Sequence, residues 1–86
     1  MSRPDLVRES NDHIADQAVR LRFVSRVPML CECGDSACKA MVLLTLDEYQ
    51  RVRRDQTLYL TVPGHDVPGS TREHVEAEYW LYRWRH

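Results

Sequence analysis

Three cysteines stand within eight residues, in "CECGDSAC" at positions 31–38, and the chain has no others. The spacing is C-x-C-x4-C. Thiolates are the commonest structural ligands of zinc, which takes four N or S donors in a tetrahedron. Bringing the sulfurs to one ion requires the chain to bend. Gly34 follows Cys33 and can adopt the positive φ of such a bend. Asp35 and Ser36 are turn formers that carry the chain back toward Cys38. The segment thus has the chemistry of a metal-binding knuckle.

Three ligands leave one place to fill. The histidines are His13, His65, His74 and His86. His65 has the best context, in "VPGHD", after a strand-like run and in a loop stiffened by Pro63 and Gly64. The expected centre is therefore one structural Zn2+ on Cys31, Cys33, Cys38 and His65. Two other uses of the thiols compete with it. Free cysteines are often buried small hydrophobes, which suits scattered residues better than a Gly/Asp/Ser turn. A thiol redox protein would need a cation or helix N-terminus to depress a thiol pKa, whereas Glu32 and Asp35 are acidic neighbours.

No H-E-x-x-H, G-x-S-x-G or phosphate-binding glycine loop is present. A Cys3His set fills the tetrahedron, so the expectation is a closed site and no enzyme. Asp47 and Glu48 are adjacent carboxylates, but a helix-capping role accounts for them.

The elements that must position these residues follow from local pattern. Val7, Asn11, Ile14, Ala18 and Leu21 recur at helical spacing, which predicts a helix over 4–22, with Ser2, Pro4 and Asp5 at its start. "FVSRVPML" (23–30) and "AMVLLT" (40–45) read as strands, with the knuckle as the hairpin tip between them. Pro28 restricts the first to an edge or an irregular strand. Thr45 followed three residues later by Glu48 is a capping box, which predicts a short helix over 46–54. "TLYLTV" (57–62) alternates as a strand with Leu58, Leu60 and Val62 on one face. If it lies antiparallel to 40–45, His65 comes near the hairpin tip. Residues 63–70 read as a loop, and His74 falls in a mobile or helical stretch. "EYWLYRWR" (78–85) alternates as a strand, with Trp80, Tyr82 and Trp84 on one side and Tyr79, Leu81, Arg83 and Arg85 on the other. The expected class is α+β: a small, mostly antiparallel sheet with an N-terminal helix and a short middle helix, stapled by a zinc knuckle.

At this point the motifs resemble something known. "CECGDSAC", "LTLDEYQRVR" and "VPGH" together are similar to a pattern in small, mostly uncharacterised bacterial proteins common in actinobacteria: CEC-x4-C, then LT-x-x-EY-x-x-VR, then PGH. The likeness covers about residues 23–67. It implies the same ligands, Cys31, Cys33, Cys38 and His65, and brings no activity with it. The aromatic ending "YWLYRWRH" departs from that family's plainer one.

Eighty-six residues suffice for one domain, taken here as a single zinc-binding unit over 1–86. A core of that size is marginal, and a structural metal is one remedy. The composition, 43% hydrophobic and 29% charged, is that of a globular chain. No signal-like or membrane-spanning run is present, and the expected location is cytoplasmic.

Net charge is -1, from 12 basic and 13 acidic residues, which argues against a generic polyanion binder. Arg51, Arg53 and Arg54 at the end of the middle helix, with Arg83 and Arg85 on the last strand, form the candidate partner surface. The leading functional reading is a protein-interaction or regulatory module without catalysis. The alternative is a nucleic-acid-binding zinc domain that uses these arginines and stacks bases on Trp80, Tyr82 and Trp84. Such an aromatic row more often forms core.

Overall fold

In a computed structural model, residues 3–22 and 24–84 are described. The fold is α+β, in the order α1 (Arg3–Arg20), β1 (Val27–Leu30), β2 (Met41–Leu44), α2 (Leu46–Arg53), β3 (Leu58–Thr61), β4 (Ser70–Val75) and β5 (Trp80–Trp84). Ser2, Phe23, Arg85 and His86 lie outside the described residues, and with them part of three expected elements.

The strands form two antiparallel sheets, β1-β2 and β3-β5-β4, where the sequence suggested one. β3 does not pair with β2 as expected. It pairs with β5, Leu60 opposite Leu81. All four β3 residues are buried. Such a strand needs cover on both faces, and β5 alternates to match it. Leu58, Leu60 and Leu81 join Met29, Val42, Leu44, Tyr49 and Val52 in the main core. On the other face Tyr59 and Tyr82 pack with Val67, flanked by Trp80 and Trp84. The aromatic row is therefore core, in a second, smaller cluster. Burying a residue such as Leu60 or Met29 completely contributes about 1.5–3 kcal/mol.

β4 was not expected. Its sequence, STREHV, is polar and almost wholly exposed. It is held as an edge strand by backbone pairing to β5, which no side-chain pattern signals. A bulge between Arg72 and His74 interrupts the register.

α1 buries Asn11 and Ala18, and Ile14 packs on the core. Leu21, assigned to the same face, is 72% exposed. The helix has ended by then, and Arg22 is left-handed at φ 53°. α2 begins as the capping box predicts: Glu48 N–H donates to Thr45 Oγ1 at 3.2 Å, and Thr45 N–H donates to the Glu48 carboxylate at 3.0 Å. The Thr45 N–H bond foremost, with the Thr45 hydroxyl, Arg26 and Arg51, holds the Glu48 carboxyl below its ordinary range. No helix among the described residues is long and apolar enough to cross a membrane.

Candidate metal centre

The centre starts where β1 ends. Cys31 N–H donates to Ala40 O at 3.2 Å, extending the β1-β2 ladder by one rung. In extended chain, alternate side chains point to opposite sides, so Cys31 and Cys33 share one side and Glu32 takes the other. Glu32 is fully buried. Its N–H donates to Leu60 O at 2.7 Å, and its Oε1 accepts from Leu60 N–H at 2.8 Å. Its Oε2 accepts from Asn11 Nδ2 at 2.7 Å and from Arg53 Nη2 at 2.6 Å. Burial pushes the Glu32 carboxyl up, while Arg53, Asn11 and the Leu60 N–H pull the other way. Asn11 also bridges the outer edge of β1, accepting from Leu30 N–H at 2.7 Å and donating to Leu30 O at 2.8 Å. These bonds pin the C-x-C segment between α1, α2 and β3.

The chain then turns back. Gly34 has φ +85°, and a Cβ there would stand 2.9 Å from Pro4 Cγ, so glycine is required twice over. Asp35 accepts from Ala37 N–H through its side chain at 2.9 Å and from Cys38 N–H through its backbone at 3.0 Å. That turn delivers Cys38.

The fourth group arrives from the end of β3. His65 N–H donates to Val62 O at 3.3 Å, and Thr61 Oγ1 donates to His65 O at 3.3 Å. The turn places His65 Nδ1 3.6 Å from Cys31 Sγ and 3.5 Å from Cys38 Sγ. The ligand atoms of Cys31, Cys33, Cys38 and His65 all lie within 4.8 Å of one another.

This spacing can be tested against a metal. A tetrahedral ion with Zn–S of about 2.3 Å and Zn–N of about 2.0–2.1 Å has S···N edges of about 3.6 Å. Both S···N distances agree. Burial, opposed by N–H groups of Val62 and Cys33, pushes the Cys31 thiol up to about 12. A sulfur in that setting becomes a thiolate at neutral pH when a cation takes the place of its proton. The donor set and these two S···N distances fit a tetrahedral metal site.

The other predicted residues are not gathered in this way. Arg51 and Arg54 are exposed at the end of α2. Arg53 turns inward, its side chain 9% exposed, and it also donates to Leu58 O and Tyr49 Oη. It is therefore not part of an open surface, contrary to its place in the expected arginine patch. Arg83 is held between Asp55 at 2.7 Å and Glu73 at 2.6 Å. Hydrogen bonds from Thr57 and Arg83 bring the Asp55 carboxyl down to about 2. Arg85 lies outside the described residues. Arg72 covers the Trp80 ring at 4.5 Å, and Tyr59 meets Trp84 edge to face at 6.1 Å. The described arginines of the patch thus do not share one open face, and the aromatic rings are engaged within the chain.

The sequence reading missed Glu32, Asn11 and Arg53 as the support of the knuckle. One signal was available: an acidic residue between two ligands two apart must point away from the metal, into whatever lies behind. In comparisons with protein-family models, curated proteins and solved structures, none matches this chain.

Proposed function

We propose that this chain is a small non-catalytic zinc-binding domain in which Cys31, Cys33, Cys38 and His65 hold one structural Zn2+. The observation that carries the reading is the convergence of three sulfurs and one imidazole nitrogen within 4.8 Å, from segments far apart in sequence. Soft thiolates in a tetrahedron favour zinc over harder divalent ions. When bound, the ion supplies a cross-link between the hairpin tip and the 62–65 loop, with no position left for a substrate. Reduced cysteines suit a cytoplasmic setting.

The same reading makes the domain an interaction or regulatory module. Supporting it, Met41 and Leu43 on β2, beside the knuckle, are 53% and 48% exposed. The engaged state of Arg53 and Arg83 weighs against nucleic acid as the partner.

Elemental analysis of protein purified without added metal tests the centre, with one zinc per chain expected. Cobalt substitution should give the absorption of a tetrahedral thiolate site. A folded sample with no metal and three titratable thiols would overturn the reading. For the module, Met41→Asp and Leu43→Asp should abolish capture of a partner that the unaltered domain retains, at unchanged zinc content. Equal capture would remove that surface from the proposal.

A further inference from the structure

The three sulfurs of the centre are not equivalent. Cys31 and Cys33 are 6% and 5% exposed, whereas Cys38 is half-buried. Cys31 Sγ also accepts the Val62 N–H at 3.4 Å. Such bonds draw charge from a thiolate and lower its nucleophilicity. Among the described residues no backbone N–H is seen donating to Cys38 Sγ. Its polar neighbour is His65 Nδ1.

Cys38 also borders a cavity of about 390 Å³. Val7, Leu30, Ala40 and Met41 supply apolar walls, and two charged residues, Lys39 and Asp35, stand at the same cavity. Those walls suit a carbon body, and the Lys39 ammonium draws a negatively charged substituent to its own side of the cavity, away from the Asp35 carboxylate. Cys31 borders the cavity as well, so access to the space does not separate the two sulfurs. Exposure and the N–H bond do.

We infer that Cys38 is the reactive thiolate of the centre, a modification site for soft carbon electrophiles that approach through the cavity beside Lys39. This deepens the zinc reading and rests on it, because the consequence of the modification is the loss of one ligand of that centre. In the step, Cys38 Sγ forms a bond to the electrophilic carbon, and the bond to the leaving group breaks with its electron pair. The thiolate becomes a neutral thioether, a poor zinc ligand. A bound ion would then keep only two thiolates and one imidazole and would pass more readily to a competing chelator.

The test uses the zinc-loaded full chain, its zinc content measured first. Limiting iodoacetamide is added, each cysteine is mapped by peptide mass spectrometry, and zinc release is followed with a chromogenic chelator. Cys38 should be alkylated roughly tenfold ahead of Cys31 and Cys33, with zinc released in step. Replacing iodoacetamide with the anionic iodoacetate probes Lys39. In Lys39→Gln the iodoacetate-to-iodoacetamide rate ratio at Cys38 should fall roughly threefold. Labelling of Cys31 or Cys33 at an equal or greater rate in a zinc-containing sample overturns the inference and leaves the metal reading standing. An unchanged ratio in Lys39→Gln overturns the route of approach. A sample without zinc overturns the metal reading, and the inference with it.

Discussion

Glu32 and Arg53 meet 2.6 Å apart behind the knuckle, the carboxylate fully buried and the guanidinium side chain 9% exposed. The two cysteines that flank Glu32 therefore face the candidate metal site because Glu32 itself faces α2. The pair joins the loop bearing the candidate ligands to the helix whose start is set by Thr45.

Removing the two partners should have unequal costs. Arg53→Ala leaves the Glu32 carboxylate buried without its cation, which costs about 3–5 kcal/mol. Glu32→Gln should cost less. Arg53 would still donate to Leu58 O and Tyr49 Oη and lie 3.4 Å from Asp12. Denaturant unfolding of both variants in excess zinc checks the order, and equal losses would mean the pair is not what pins the segment.

Thr45→Ala should lower stability by about 1 kcal/mol, since the hydroxyl that accepts the Glu48 N–H is lost. Thermal unfolding reads this directly. The Glu48 carboxyl should keep its depressed titration only in part, because its bond to the Thr45 N–H remains.

Cys33→Ser should loosen residues 33–38 and 62–65 together, since a bound metal would join them. His65→Ala should do so more mildly, because three thiolates remain to hold zinc. Residues 58–60 should stay protected in both variants. The reciprocal Glu32–Leu60 bonds and the pairing of β3 with β5 hold them without a metal. Amide exchange on the two variants resolves the segments. Full protection at 33–38 and 62–65 in either one would show that the ligands do not hold this end of the domain.

Zinc affinity should rise with pH. In the metal-free protein the Cys31 thiol is pushed up to about 12, so at neutral pH it carries a proton that zinc must displace. Each displaced proton makes the apparent affinity climb about tenfold per pH unit while the group remains protonated in the metal-free state. Competition titrations at several pH values, or calorimetry in buffers of different ionisation enthalpy, count the protons released. A pH-independent affinity would exclude Cys31 as a ligand displaced from its thiol form.

Short-range signals carried much of this fold. The Thr45–Glu48 box, the period of α1 from Asn11 to Ala18 and the alternation of β5 each depend on residues a few positions apart. Local chemistry alone is enough to read them. The knuckle was legible for the same reason: Cys31, Cys33, Gly34, Asp35 and Cys38 make their own turn. What the chain does at longer range was decided only in three dimensions. β3 chose β5 over β2 because all four of its residues had to be covered, and strand pairing across twenty residues leaves no local trace. β4 exists because its backbone finds the edge of β5, although its side chains look like a loop. Arg53 reads in sequence like any basic residue at a helix end. It is drawn inward because Glu32, twenty-one positions earlier, is buried there and needs a cation. His65 stood between these cases: its stiff loop was visible in the sequence, but only the fold brought Nδ1 to within 3.5 Å of Cys38 Sγ.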